Sequence, residues 1–590
     1  MENPAIARIF AEIADLLEIK NENAFKIRAY RNASETIAHA TDKLASCTDE
    51  QLRAIPGIGK DLAAKIREIA DTGESRYHRE LLEQFPPTIL DLLHLQGVGP
   101  KTVAMLYSQL GIKTIEELET ACHDGRIRGL KGLGPKKEQL ILRACLERRQ
   151  NSGRHLLPDA AEAAALLLDY LRGACPTVIF DNVGSIRRGA ETSGDIDILA
   201  TGDGSDVMST FTGYTLVERI LGQGETKSSV LLGGGIQADL RLVVPDSRGA
   251  ALQYFTGSKS HNIALRDRAI SRGFKLNEYG LFRVDDGSVV AGRTEADIYA
   301  ALGLEEIPPE LREGRGELEA AERGALPRLV TLDDIQGDIH SHTTETDGRE
   351  DIETMAIAAR ELGLKYLAIT DHSKALAMAN GLDEQRAIQH ARRIREIGKR
   401  LEGITLLAGI ECDIRTDGSM DLADDCLAEL DVVVASVHSS FNLDEAQMTD
   451  RMLRAIANPY VDIIGHPMGR RLLRREPYKL DINRFIDAAA AAGVALEINC
   501  QIDRLDLSDI HARAARDRGV KIVISTDAHA KSAFRFMKWG VQMARRAWLT
   551  KEDVLNTRSV EDFRASLRRN RGKEEGRRKT EKGIEPRKKE

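Results

Sequence analysis

The string Gly184-Ser-Ile-Arg-Arg-Gly-Ala-Glu-Thr-Ser-Gly-Asp195-Ile-Asp197 sets two aspartates one residue apart at the start of an apolar run. On a strand, side chains at i and i+2 point to the same face, so both carboxylates converge on one point. Converging carboxylates repel unless a cation lies between them, and an all-oxygen site suits Mg²⁺, which also takes substrate phosphates as ligands. Asp239, in Gln-Ala-Asp-Leu-Arg-Leu, sits in a later apolar run that can pair beside the first. Three carboxylates holding two metals about 4 Å apart suit in-line phosphoryl transfer. Gly184 and Ser185, with Arg187 and Arg188, supply donors for a triphosphate. A lone Asp-x-Asp is most often a solvated pair on a surface strand; the longer string argues against that here.

A second constellation is made of histidines. Eight of the fourteen lie beyond residue 330, and six of these stand in short motifs: His340 and His342, His372, His438, His466 and His529. Asp347, Glu411 and Asp527 accompany them. Ligands at the C-terminal ends of successive barrel strands converge on one mouth. Mixed imidazole and carboxylate ligands suit Mn²⁺, Zn²⁺ or Fe²⁺ better than Mg²⁺. A single histidine at a strand end is more often structural; six of them, each after an apolar strand, point to a metal centre. His39, His78, His94, His123, His155, His390 and His511 carry no such context.

A third pattern occurs three times: Ile-Pro-Gly-Ile-Gly at 55, Leu-Gln-Gly-Val-Gly at 95 and Leu-Lys-Gly-Leu-Gly at 130, each followed by a helical stretch. The glycine pairs are Gly57/Gly59, Gly97/Gly99 and Gly132/Gly134. A tight glycine turn before a helix leaves backbone N–H groups free for an anion, and a DNA phosphate can approach closely because no side chain intervenes. Such a turn holds the backbone without reading bases.

The elements that must position these residues follow from periodicity. Residues 1 to 150 repeat apolar residues at helical spacing, as in Ile6, Ile9, Phe10, Ile13, Leu16 and Leu17. From about 155 to 305 the pattern is mixed α/β, with strand-like runs at 177–182, 196–200 and 238–244. From Gly337 to about 565, six short apolar runs alternate with helical stretches, the signature of a βα-repeat barrel of parallel strands. Between them, Ile-Pro-Pro-Glu-Leu-Arg-Glu-Gly-Arg-Gly and its charged continuation read as a linker.

The net charge of −8 argues against a polycation that coats nucleic acid by charge alone. The N-terminus lacks the pattern of a secretory signal, and no apolar run reaches the roughly 18 residues that span a membrane. Seven scattered cysteines, none in Cys-x-x-Cys, suit a reducing cytoplasmic compartment.

The aspartate string, together with Tyr254-Phe-Thr-Gly-Ser-Lys-Ser-His-Asn-Ile-Ala-Leu-Arg266 and Lys275-Leu-Asn-Glu-Tyr-Gly-Leu-Phe282, resembles the family X DNA polymerases over residues 1 to about 320. The resemblance implies that Asp195, Asp197 and Asp239 hold Mg²⁺ or Mn²⁺, and that Ser185 and Arg188 contact the incoming triphosphate. It puts Tyr254, Phe255 and Gly257 against the sugar, Asn262 at the minor-groove edge of the base and Arg266 at the template strand. It implies three helix-hairpin-helix motifs, a Schiff-base lysine at Lys65 and a 5′-phosphate contact at Lys26. Asp61 departs from the pattern, standing where a lysine is expected, which sets a solvated Lys65 level with a lyase role.

The histidine-rich half resembles the PHP (polymerase and histidinol phosphatase) domain, whose pattern of nine ligands for up to three Mn²⁺ or Zn²⁺ ions is filled throughout. His340, His342, Glu411 and Asp527 would hold the first, Glu411, His438 and His466 the second, and Asp347, His372 and His529 the third. An intact set implies an active phosphoesterase.

The expected protein is a monomeric cytoplasmic enzyme acting on gapped or primer-template DNA and dNTPs. It would fill short gaps and carry a 3′→5′ exonuclease that also acts on abasic sites or 3′-phosphates. The alternatives are an end-processing nuclease whose polymerase core positions DNA, a non-catalytic DNA scaffold and a small-molecule phosphatase. The expected architecture is all-α at the N-terminus, then an α/β nucleotidyltransferase palm with an α/β thumb, then a distorted TIM-like barrel. Boundaries fall at 1–80 (lyase-like helical domain), 81–152 (helical fingers), 153–245 (palm), 246–305 (thumb), 306–334 (linker), 335–567 (PHP domain) and 568–590 (disordered charged tail).

Overall fold

A computed structural model describes residues 3–570, apart from 21, 39–43, 56, 73, 96–97, 152 and 205. Gly97 of the second glycine pair and most of the charged tail therefore lie outside the described residues. The chain forms two units, the first chiefly residues 1–152 and the second chiefly the remainder.

The first unit is helical. In the helix Asn3–Ile19 the apolar stripe does what its spacing requires: Ile6, Phe10, Ile13, Leu16 and Leu17 are buried on one face. Each glycine turn runs into a helix, Lys60–Thr72, Pro100–Leu110 or Pro135–Asn151. Gly57 and Gly132 take the left-handed conformation that a side chain disfavours.

In the second unit a five-stranded sheet runs Ile179–Asn182, Asp195–Thr201, Gln237–Val243, Lys227–Leu232, Val217–Gln223 across its width. The helix Leu157–Ala174 covers one face through Leu167, Leu168 and Leu171. Beyond it stand the helices Arg248–Thr256 and Lys259–Ser271 and a three-stranded antiparallel sheet from Phe274 to Ala291.

Residues 306–334 are not a solvated linker. Arg312, Glu310 and Glu317 are buried with Ile307 and Leu311. The Arg312 guanidinium pairs with Glu295 and lies over the Tyr299 ring, and Glu317 accepts from the backbone N–H groups of Gly314 and Arg315. Charge composition marked this segment as solvated, yet Arg312 is paired inside the thumb, and Glu310, Glu313 and Arg315 pair beyond it with Arg545, with Arg188 and Arg546, and with Asp509.

Seven parallel strands, Gly337–Asp338, Tyr366–Ile369, Thr405–Asp413, Val432–Ser436, Ile463–Ile464, Ala495–Asn499 and Ile522–Ser525, follow one another in chain order. A parallel bridge between Ser341 and Ala528 joins the first strand's exit to the last's, and His342 N–H donates to the Ala528 carbonyl. Alternate residues divide the packing: Tyr366 and Ala368 join one apolar cluster, Leu367 and Ile369 another. The helix Val560–Ser566 contributes Phe563 to the cluster of Tyr366, the two rings 5.5 Å apart. Arg569, in the stretch read as disordered, is bound to buried Asp462 at 2.7 Å.

Two candidate metal-dependent active sites

The palm site rests on register. The strand Asp195–Thr201 pairs in parallel with Gln237–Val243, setting Asp197 directly beside Asp239, while Asp195 shares the face of Asp197 two residues away. Burial, then the charges of Asp195 and Asp239, push the Asp197 carboxyl up to about 7. Burial and Asp239 also raise Asp195, against the pull of Arg154. The nearby countercharges do not neutralise the trio: Lys227 lies 3.5 Å from Asp239, and Gln237 donates to it at 2.8 Å. Arg188 and Arg241 pull Asp197 down without cancelling the rise, so the cradle of converging carboxylates is compatible with divalent cations.

Gly184 begins the turn that covers this cradle. A Cβ there would fall 2.2 Å from Asp197 Oδ2, and its φ of +64° is left-handed. Gly184→Ala is therefore expected to displace Asp197 and lower primer extension by about 10²-fold, the scale of an ångström-sized misplacement. Retained extension would refute the close approach; nuclease activity in the same preparation serves as the folding control.

Around the cradle the sequence-derived contacts sort themselves. Ser185 Oγ is 2.5 Å from Ser193 Oγ. Arg188 donates to Glu313 at 3.0 Å and to the carbonyl of Thr256, beside Gly257. Arg187 corrects the expectation of a triphosphate donor: its guanidinium is taken by Glu295, at 2.5 and 3.0 Å, and by Thr256 Oγ1. It ties the palm turn to the thumb. Tyr254 and Phe255 stack edge to face, and Phe255 lies under the Arg241 guanidinium. Asn262 is held at both ends of its amide, by Gln253 and by the Tyr254 carbonyl, and Arg266 is exposed on the same helix. In the first unit, nothing among the described residues beyond the local chain lies within 4 Å of where a Cβ would stand at Gly57, Gly59, Gly99, Gly132 or Gly134, so these turns leave backbone open to a phosphate. Lys26 and Lys65 meet over one ring, their Nζ atoms 5.1 and 5.3 Å from the centre of Tyr77.

The barrel site gathers all nine expected residues at the C-terminal ends of the strands. Glu411 is central. Its Oε1 faces His466 at 3.0 Å and His438 at 3.3 Å, and its Oε2 faces His372 at 2.8 Å, His340 at 3.4 Å and His342 at 3.6 Å. Asp527 lies 3.1 Å from His342 and 3.6 Å from His340. Asp347 lies 3.4 Å from His372 and 3.5 Å from His529. Three groups bring their ligand atoms within 4.8 Å of one another: His340, His342 and Asp527; His342, Asp347, His372 and His529; His372, Glu411 and His438. The expected grouping shifts: Glu411 falls outside the first group and in the second stands with His372 in place of His466, and His342 and His372 each belong to two groups, while His466 stands outside all three, against Glu411.

The residues fit metal ions on a direct observation. His340 Nε2, His342 Nδ1, His372 Nδ1, His438 Nδ1 and Glu411 Oε2 are buried and make no hydrogen bond of acceptable geometry, although His372 Nδ1 lies 2.8 Å from Glu411 Oε2 and His438 Nδ1 3.3 Å from Asp413. Polar atoms orphaned at this density carry a large cost unless a cation binds them. Burial, with His529 and His372 nearby, lowers His342 to about 4, which leaves a neutral imidazole suited to ligation. Burial opposes a proton on His372, yet Glu411 and Asp347 raise it to about 10: the pocket's field holds positive charge where a cation would supply it.

Behind the ligands stands a layer that the sequence did not reveal. Glu497 Oε1 is 2.7 Å from His340 Nδ1, and its other oxygen accepts from His466 N–H. Asn499 donates to both Glu497 and Asp527. Asp413 lies 3.3 Å from His438. His390, given no role from sequence, is 2.8 Å from Asp371, which in turn accepts from Thr343 N–H. The one signal was Glu497 itself, a carboxylate between Leu496 and Ile498 in a buried strand, where an unpaired charge is not tolerated. Glu497→Ala is expected to weaken metal binding by about 10–100-fold, as loss of a histidine's carboxylate partner does. Titration calorimetry with Mn²⁺ checks this, and unchanged affinity would remove Glu497 from the site.

Comparison with known proteins follows the same division. Residues 1–75 match the helix-hairpin-helix domain, 89–145 the SAM-like helix-hairpin-helix tandem, 251–313 the DNA polymerase beta thumb and 338–501 the PHP domain. The thumb match extends past 305, in keeping with the packed segment after it. The DNA polymerase/3′-5′ exonuclease PolX of Bacillus subtilis (strain 168) is 38% identical over 97% of this chain and 100% of its own length. A probable phosphatase of Caldanaerobacter subterraneus is 31% identical over 40% of this chain and 91% of its own. Another, from Shewanella sediminis, is 30% identical over 37% and 88%. Hairpins, thumb and PHP domain thus occur in this order in a chain alike from end to end to one such enzyme, and the protein belongs to the bacterial PolX family, family X DNA polymerases carrying a C-terminal PHP domain.

Proposed function

We propose that this chain is a template-directed, gap-filling repair DNA polymerase with a metal-dependent 3′→5′ exonuclease in its barrel. The observation that carries the reading is the presence of two separate ligand-rich cradles, one built by the register of Asp197 and Asp239, the other by eight barrel residues in three clusters, with His466 against Glu411.

Asp195, Asp197 and Asp239 would hold Mg²⁺ or Mn²⁺, and the barrel ligands up to three Mn²⁺ or Zn²⁺ ions. When bound, these ions neutralise phosphate charge and activate an attacking oxygen. The chain's own residues supply position. Gly184 brings the turn onto Asp197, and Ser185 and Arg188 present donors to the triphosphate. Tyr254, Phe255 and Gly257 form the wall for the sugar, Asn262 is fixed in one amide orientation toward the base edge, and Arg266 reaches the template. The glycine turns grip DNA backbone through N–H groups, so affinity does not require a basic protein. In the barrel, Glu411 faces both halves of the ligand set and Glu497 fixes the ring of His340.

The seven cysteines form no disulfide among the described residues, which supports a reducing, cytoplasmic setting, and no helix among the described residues is long and apolar enough to cross a membrane. A monomer acting on gapped or primer-template DNA is the form proposed. Extension of a primer across a short gap, and shortening of a 3′ end, each assayed with Mg²⁺ and with Mn²⁺, test the reading. Absence of templated extension would overturn it, and hydrolysis of histidinol phosphate at a comparable rate would favour a small-molecule phosphatase.

A further inference from the structure

The palm turn from Gly184 to Glu191 is seated on the barrel domain. At Gly189 the approach is so close that a Cβ would fall 2.3 Å from Gln542 Cγ and 2.1 Å from its Nε2, on the helix Met537–Arg546. Arg546, on the same helix, is buried and donates to the Arg188 carbonyl at 2.9 Å and to Glu313 at 2.8 Å, while its other terminal nitrogen pairs with Asp509 at 2.9 Å. Glu313 Oε1 is the same oxygen that Arg188 Nε reaches at 3.0 Å. At the far end of the turn, Arg470 holds Glu191 at 2.7 Å. Arg470 is itself buried, with two further donations into the barrel loop at Arg504 and Leu505.

This arrangement exceeds simple adhesion between domains. The turn carries Gly184 and Ser185 at one end and Arg188 in its middle, and it is short, so its backbone has few ways to move independently of these anchors. Arg546 also sets the charge that Arg188 experiences. With both guanidiniums on Glu313, its carboxylate is shared, and Arg188 keeps donors free for a triphosphate. Without Arg546, the turn loses a carbonyl anchor, and Glu313 turns its whole charge on Arg188 in competition with the nucleotide.

We propose that the barrel domain is a positioning element of the polymerase: Arg546 and the Arg470–Glu191 pair fix the nucleotide-binding turn, so that the affinity of the palm for dNTP depends on residues of the nuclease domain. The proposal rests on the reading of the aspartate cradle as the polymerase site.

The test is single-nucleotide insertion on gapped DNA by the full chain, comparing wild type with Arg546→Ala and Glu191→Gln. The expected result is a rise in KM for dNTP of about tenfold, the scale of one charge-assisted hydrogen bond, with kcat within about twofold of wild type. Arg546→Lys, which restores charge on Glu313, should recover part of the loss. Wild-type KM in both variants would overturn the proposal, as would a fall in kcat at unchanged KM. Exonuclease activity reports whether Arg546→Ala has folded; if it has not, Glu191→Gln alone decides. Insertion by the wild type, and its loss in Asp197→Ala, test the polymerase reading separately.

Discussion

Primer extension is expected to fall by roughly 10³-fold or more when Asp195 and Asp197 are both replaced by Ala, with 3′-end shortening left at its wild-type rate. The size follows from charge. A bound divalent ion contributes several kcal/mol of transition-state stabilisation, and each 1.36 kcal/mol is tenfold in rate. Only Asp239 would remain of three carboxylates, and it already lies within 3.5 Å of Lys227, which would take up its charge in place of a metal. The change is also cheap for the fold, since it removes carboxylates whose burial, and then mutual repulsion, raise Asp197 to about 7. Melting temperature is therefore expected to hold or rise slightly, a result that sets this variant apart from one that fails through instability. Residual extension near the wild-type rate would show that the cradle is not the polymerase centre.

The converse experiment is Glu411→Gln. Glu411 presents one oxygen to His438 and His466 and the other to His340, His342 and His372, so one neutralised carboxylate is felt by five histidines. The loss in exonuclease rate is expected to reach about 10³-fold, with bound Mn²⁺ falling below the wild-type stoichiometry. The Gln keeps the volume of the side chain but places an amide nitrogen, a donor, where Glu411 offers a charged oxygen to these histidines. Primer extension should persist. Full exonuclease activity with wild-type metal content would mean that Glu411 does not join the two halves of the centre.

Much of both centres was legible in the sequence because their residues obey simple periodicities. Asp195 and Asp197 are separated by the strand period, and the barrel histidines each follow an apolar strand, so pattern and chemistry coincide. What stayed hidden depends on partners far away along the chain. Arg187 stands in a string that advertises phosphate binding, but Glu295, 108 residues on, takes its guanidinium. His390 looks like any helix histidine until Asp371 is found beside it. Glu497 lay in a recognised strand, and only the folded barrel shows which histidine it turns. The segment after residue 305 failed for a related reason: composition cannot say that Arg312 and Glu295 neutralise one another inside the thumb.

The bridge between Ser341 and Ala528 bears on how the two activities arise during synthesis. The palm strands that carry Asp197 and Asp239 pair within a short stretch of chain. The barrel centre closes only when the last strand meets the first, bringing Asp527 to His342 across 185 residues. Loops of that length form late, because their closure entropy is met before most of the contacts that reward it. A ribosome-bound chain would thus complete its polymerase aspartates well before its nuclease ligands. Arg546, which emerges later still, would be the residue that finally seats the nucleotide turn. Synthesis from the N-terminus then gives a nascent chain whose polymerase aspartates are set before its nucleotide turn is fully anchored and before its nuclease centre closes.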